Sequence, residues 1–177
     1  MESPDGVQDR GPARDIFIDG LRNAHALEHQ ALSLMDRQIE HLAHYADVEQ
    51  QLRVHRGETE RQIERLEEIL QELGESPSTL KDMTLGFFGN VAALGHSFAS
   101  DEILKNSFAN FAFENFEIAS YSALIVMAED SGFRSALPLL RQTLREEQAM
   151  AAWIEKTLPL VVRKYVSLAA AGEDASH

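Results

Sequence analysis

Glu147 stands alone among apolar side chains on one face of a predicted helix. The residues that share this face are Leu140, Leu144, Ala151, Ile154, Leu158 and Val161. A lone carboxylate in a protein core is costly unless it is protonated, hydrogen-bonded to a partner or bound to a metal ion. The spacing therefore predicts a carboxyl group that belongs either to a buried polar network or to a metal site.

Other glutamates occupy similar positions on three further predicted helices. Glu28 shares its face with apolar residues and with His25. Glu114 and Glu117 lie one turn apart among aromatic and aliphatic residues. Glu58 lies at the edge of an apolar stripe. Each carboxylate is near the middle of its helix, so antiparallel packing would bring all of them to a similar height in a bundle.

Carboxylates that converge in a core repel one another strongly. Divalent iron or manganese would neutralise such a group, and both ions accept carboxylate oxygen and imidazole nitrogen. The sequence therefore predicts an interior site for iron or manganese. The alternative is a metal-free network in which the glutamates pair with interior side chains, for which the candidates are Arg61, Gln62, Arg65 and Tyr121.

Four long helices must position these residues. Apolar residues recur at helical spacing over residues 15–45, 48–73, 101–130 and 134–168. Gly74 and Gly132 are predicted to end the second and third helices, and Pro159 is predicted to kink the fourth. A shorter connecting helix is predicted between residues 80 and 98. This pattern is typical of an all-α, ferritin-like four-helix bundle with one long crossover that contains a short extra helix.

The chain is predicted to form one domain. Residues 1–13 are polar and contain glycine and proline, so we expect a disordered arm there. Residues 14–168 are expected to form the bundle, and residues 169–177 a frayed tail.

Composition excludes several classes of function. The formal net charge of −13 argues against binding to nucleic acid or to anionic membranes. The chain has no cysteine, which excludes disulfides and thiolate metal sites. Neither a signal peptide nor a membrane span is apparent, so we expect a cytoplasmic protein. Without a phosphate-binding loop, no small-molecule cofactor is expected.

Four segments carry recognisable motifs, namely residues 26–30, 55–62 with 65–66, 113–121 and 144–147. The most specific is Glu-Asn-Phe-Glu-Ile-Ala-Ser-Tyr at residues 114–121. These segments resemble the YciE/YciF family of bacterial ferritin-like proteins. The resemblance spans roughly residues 15–165. It implies a rubrerythrin-like bundle, a homodimer, and a link to bacterial stress responses.

The resemblance also implies a ligand set. By comparison with rubrerythrin-type di-iron sites, the metal ligands would be Glu28, Glu58, Glu114, Glu117 and Glu147. Arg61 and Met150 stand where that pattern has histidine. His55, one turn before Glu58, is the candidate substitute.

Two functions follow from these observations. The first is a carboxylate-rich, dinuclear metal site used for metal storage or for chemistry with oxygen or peroxide. The second is a metal-free structural dimer that acts through protein–protein interaction. The number of interior glutamates favours the first, and the missing histidines favour the second.

Overall fold

A computed structural model describes residues 11–75 and 101–176. These residues form four long helices and no strand. The helices are α1 (Gly11–Ile39), α2 (Ala46–Glu72), α3 (Glu102–Asp130) and α4 (Leu137–Ala171), and a short 3-10 helix (Arg134–Ala136) leads into α4. The predicted short helix between residues 80 and 98 lies outside the described residues. No helix in the described part combines the length and the hydropathy needed to cross a membrane.

Glycines end α2 and α3, as predicted. Gly74 and Gly132 both have φ of +78°, a conformation that glycine adopts without steric cost. The residue after each glycine donates its backbone N–H back into the last turn, from Glu75 to the carbonyl of Leu70 at 2.9 Å and from Phe133 to that of Ala128 at 2.9 Å. These bonds satisfy carbonyl groups that the helix itself leaves without partners.

The directions of the helices require a long crossover. Contacts between Glu28 and Tyr121 and between Gln38 and Asn110 make α1 antiparallel to α3. The short connection from Ile39 to Ala46 makes α1 antiparallel to α2. Helices α2 and α3 therefore run in the same direction, and the chain between them joins opposite ends of the bundle. This arrangement confirms the predicted four-helix bundle with one long crossover.

A polar layer divides the bundle core. One apolar cluster is centred on the start of α1 and the end of α3, where Phe17 and Phe133 stack at 5.6 Å. The other is centred on the end of α1 and the middle of α4. The polar layer lies between them and consists of Glu28, His55, Thr59, Gln62, Glu114, Glu117, Tyr121 and Glu147.

The end of the chain differs from the frayed tail expected from the sequence. Helix α4 continues through Pro159 as far as Ala171. Beyond it, the carbonyl of Ala175 accepts a hydrogen bond from the Tyr45 hydroxyl at 2.9 Å. The carbonyl of Ser176 accepts one from the backbone N–H of Ile103 at 3.0 Å. These contacts attach the tail to the end of the bundle, and they come from residues too distant in sequence to be predicted.

Candidate metal centre

The structure brings five of the six predicted site residues together in the polar layer. Each of the four helices contributes at least one of them, from a face whose other residues are mostly apolar. Their exposed fractions are 1% for Glu28, 2% for His55, 5% for Glu114, 1% for Glu117 and 0% for Glu147. Burial of so many ionisable groups in one place is the feature that distinguishes this layer from an ordinary core.

His55 is the only imidazole in the polar layer as the structure describes it. Its Nε2 atom lies 3.3 Å from Glu114 Oε2 and 3.7 Å from Glu147 Oε2. Each of these three residues offers a ligand atom within 4.8 Å of those of the other two, and all three side chains are buried. The three come from α2, α3 and α4, so the position of the group depends on the packing of the bundle.

Glu58 occupies a different position from the other predicted ligands. Its carboxylate lies 3.0 Å from His55 Nδ1, on the opposite side of the ring from Glu114 and Glu147, and is 26% exposed. A carboxylate at Nδ1 fixes the orientation of the ring and leaves Nε2 to face the interior. The pKa of Glu58 is lowered, chiefly by this contact with His55.

Two interior glutamates have hydrogen-bond donors among the residues that the sequence suggested as partners. The Tyr121 hydroxyl donates to Glu28 Oε1, and Gln62 Nε2 donates to Glu147 Oε1. Gln62 also donates to Glu146 Oε2 at 3.1 Å. These bonds orient the carboxyl groups without adding positive charge.

Arg65 lies next to the layer, but its contacts are with other residues. Its guanidinium donates to Thr143 Oγ1 at 3.1 Å and forms an ion pair with Glu146. Arg61, the other predicted cationic partner, is exposed. Among the described residues, no arginine or lysine is therefore bound directly to the buried carboxyl groups of the polar layer.

Three carboxylate oxygens in the layer have no hydrogen-bond partner among the described residues. They are Glu114 Oε2, Glu117 Oε1 and Glu147 Oε2, and each is fully buried. The Glu114 oxygen is near His55, but the contact lacks hydrogen-bond geometry. Buried polar atoms are normally satisfied, so such a group of oxygens is suited to bind a cation or to share protons. The donor set therefore fits a metal ion that prefers oxygen ligands.

The pKa values of the buried glutamates are raised, as expected for carboxyl groups with little positive charge nearby. Burial raises the pKa of Glu28 to about 8, and the nearby Glu114 adds to the increase, although Tyr121 and His55 oppose it. Burial also raises the pKa of Glu117 well above its usual range, and the charges of Glu28 and Glu147 raise it further.

The pKa values of Glu147 and His55 are both raised, but for different reasons. Burial raises the pKa of Glu147 well above its usual range, and Glu114 adds to the rise, while the charge of His55 opposes it. Burial lowers the pKa of His55, but Glu114 and Glu58 outweigh it and raise that pKa well above its usual range. Burial thus favours the protonated form of Glu117 and Glu147 over a pH range in which exposed carboxyl groups are ionised.

Comparison with known proteins identifies the family. The sequence matches the family described as "Domain of unknown function (DUF892)" over residues 12–167. The chain belongs to this family. It is also 32% identical over 146 residues to protein YciF of Escherichia coli strain K12, an alignment that covers 76% of this chain and 83% of YciF. The resemblance to YciE/YciF proteins that the sequence motifs indicated is confirmed.

Solved structures of similar proteins have the same fold. The crystal structure of a protein from Xanthomonas campestris pv. campestris matches with a TM-score of 0.75 and 25% identity, over 89% of this chain and 97% of that chain. The crystal structure of the E. coli stress protein YciF matches with a TM-score of 0.70 and 24% identity, over 87% of this chain and 99% of YciF. Both matches support the helical bundle.

Two groups of residues in this DUF892 chain could not be identified from the sequence. Thr143 and Glu146 hold Arg65 beside the polar layer. Glu67 lies 3.1 Å from His25 Nε2, and its ligand atom is within 4.8 Å of those of His25 and His29 on α1. The spacing of His25 and His29 was visible in the sequence, but their partner on α2 could be found only once α1 and α2 were packed together.

Proposed function

We propose that the polar layer binds two divalent ions of iron or manganese. The observation that carries this proposal is the set of three buried carboxylate oxygens, from Glu114, Glu117 and Glu147, that have no hydrogen-bond partner in the part of the chain that the structure describes. The remaining ligands would be Glu28 and His55. Carboxylate-bridged centres in helical bundles use four glutamates and two histidines, and this layer would supply the four carboxylates and one imidazole.

The balance of charge supports this proposal. Four ionised glutamates would place four negative charges in a layer whose own basic residue is His55. Arg65 is already paired with Glu146. Two divalent ions would neutralise the four carboxylates and leave His55 neutral, so metal would replace the protons that burial favours on these groups.

Glu58 has a distinct role in this proposal. We infer that it orients His55 through Nδ1 and that His55 binds metal through Nε2. Carboxylate–histidine–metal arrangements of this kind fix the tautomer of the ring and increase its basicity. Exposure of Glu58 at the edge of the bundle is compatible with this role, since a residue in this position needs contact with the histidine only.

The ligand types favour particular ions. Four carboxylates and one imidazole form an oxygen-rich set, which suits manganese and ferrous iron better than copper or zinc. Arg61 is exposed and Met150 lies in an apolar cluster, so neither adds a nitrogen ligand at the positions where related sites have histidine. Bound iron or manganese would supply either a store of metal or redox reactivity towards oxygen or peroxide. Such chemistry would suit a stress-related role, and E. coli YciF is described as a stress protein.

Thermal unfolding tests the proposal. Added Mn²⁺, or Fe²⁺ without oxygen, should raise the melting temperature of the wild-type protein at pH 7. An ion that binds only the native state at 100 times its Kd stabilises by about 2.7 kcal/mol. The effect should be lost in Glu117→Gln and retained in Glu64→Gln, a control on the exposed face of α2. An equal response in both variants, or none in wild type, would rule out the proposed site.

A second candidate function is a metal-free structural dimer, supported by the outer face of α3. This face carries exposed aromatic and aliphatic side chains, with exposed fractions of 53% for Phe108, 47% for Phe116 and 54% for Val126. Small exposed residues lie between them, namely Ala112, Ala119 and Ala123. Large and small apolar residues in alternation let two helices approach closely, so we propose that a second copy of the chain covers this face.

Analytical ultracentrifugation tests the dimer. Wild type should sediment as a dimer, and Phe116→Glu should sediment as a monomer because it places a charge in the proposed interface. Val54→Glu is the matched control, since Val54 is 52% exposed on α2. A monomeric wild type, or a Phe116→Glu variant that remains dimeric, would contradict the proposed interface.

A further inference from the structure

A second cluster of ligand-type residues lies at the interface of α1 and α2, outside the polar layer. His25 and His29 are one turn apart on α1, and Glu67 comes from α2. Each offers a ligand atom within 4.8 Å of those of the other two. The two imidazole rings are 4.6 Å apart and nearly perpendicular, at 70°.

We propose that His25, His29 and Glu67 bind a divalent metal ion that prefers imidazole ligands, for which Zn²⁺ is the probe. This site would be independent of the interior one and does not depend on its occupancy. Two nitrogen ligands and one oxygen ligand favour zinc, copper or nickel, whereas the interior set is rich in oxygen. The two sites would therefore differ in the ions that they select.

The distances fit zinc without rearrangement of the backbone. His25 Nε2 and Glu67 Oε1 are 3.1 Å apart. Two ligands on a tetrahedral zinc ion, with bonds of about 2.0–2.1 Å, are separated by roughly 3.3 Å. Histidines at positions i and i+4 of a helix lie on one face, so His29 can supply the third ligand by a rotation of its side chain.

The cluster is buried on one side and open to solvent on the other. His25 is 7% exposed and is held by the interface of α1 and α2. His29 and Glu67 are exposed, and the Glu67 side chain retains 45% of its accessible surface. Three protein ligands that open to solvent leave the fourth zinc position to water or to a ligand from outside, as in reactive rather than purely structural zinc sites.

Zinc affinity of the full-length chain tests the proposal, measured by competition with a chromophoric chelator. His29→Ala should weaken the binding of one equivalent of Zn²⁺ at least tenfold, and Glu67→Gln should also weaken it. Both side chains are exposed, so neither change should alter the helical circular dichroism spectrum. His41→Ala, an exposed histidine beyond the end of α1, is the matched control and should bind like wild type.

Side-chain ¹⁵N NMR identifies the ligands. One equivalent of Zn²⁺ should shift the imidazole signals of His25 and His29, assigned with His29→Ala, and leave His55 unchanged. Unaltered zinc affinity in both His29→Ala and Glu67→Gln would overturn the proposal. So would a zinc-induced shift that is confined to His55, because the ion would then occupy the interior.

Discussion

Replacement of Glu28 by glutamine should change how the stability of the metal-free protein depends on pH. Glu28 is buried, and its pKa rises from 4.5 to about 8 in the folded protein. Between these values the native state holds a proton that the unfolded chain releases. A raised carboxyl pKa contributes stability that is fully present below pH 4.5 and is lost as pH rises through 8.

The size of the effect follows from the shift. Each unit of pKa change corresponds to about 1.4 kcal/mol, so ionisation of Glu28 would cost wild type roughly 5 kcal/mol between acidic and alkaline pH. Glutamine cannot ionise, and its carbonyl oxygen can still accept the Tyr121 hydroxyl. Near pH 5 it resembles the protonated acid that it replaces. Glu28→Gln should therefore equal wild type within about 1 kcal/mol at pH 5 and be several kcal/mol more stable at pH 9.

Urea unfolding with EDTA at both pH values measures the difference. EDTA is required because bound metal would stabilise only the wild type and hide the effect. Glu64→Gln on the exposed face of α2 is the control, and it should match wild type within about 0.5 kcal/mol at each pH. If Glu28→Gln gains no more stability at pH 9 than at pH 5, Glu28 does not retain its proton and the account of the layer is wrong.

Three further substitutions test other parts of the structure. Glu147→Leu should be no less stable than wild type in EDTA, because it removes a buried carboxylate and Gln62 keeps a second acceptor; a loss above about 1 kcal/mol would contradict this. Gly57→Ala should stabilise the folded protein by roughly 0.5–1 kcal/mol in thermal unfolding, since the added methyl group meets no atom closer than 3.7 Å. Destabilisation would contradict the space that the structure shows beside Gly57. Tyr45→Phe should cost about 1 kcal/mol, because the Ala175 carbonyl loses its donor; an unchanged stability would mean that the tail is not attached there.

The helices and their ends could be predicted from the sequence because both depend on local chemistry. Helical spacing of apolar residues located all four long helices, and Gly74 and Gly132 end α2 and α3 as expected. Helix α3 was harder to interpret, since it is apolar on most of its surface. Its sequence alone could not reveal that Phe108 and Phe116 are exposed while Glu114 is buried.

A site residue could be predicted from the sequence only where the pattern of its own helix face determines whether it is buried. Glu147 is buried because the rest of its stripe is apolar, a pattern that is visible in the sequence. Glu58 lies at the edge of its stripe, so its position depends on how His55 is turned by neighbouring helices. The contact of His55 with Glu114 and Glu147 joins three helices, and local spacing carries no information about such contacts.

Metal content tests the central proposal most directly. The protein should be purified without chelator in the His29→Ala background, which removes the proposed zinc site, and analysed by inductively coupled plasma mass spectrometry after loading with Mn²⁺ or with Fe²⁺ in the absence of oxygen. A dinuclear site in the polar layer should hold close to two ions per chain, and less than one in the same background with Glu117→Gln. Protein that retains no iron or manganese, or retains the same amount with Glu117→Gln, would contradict a metal site in the polar layer.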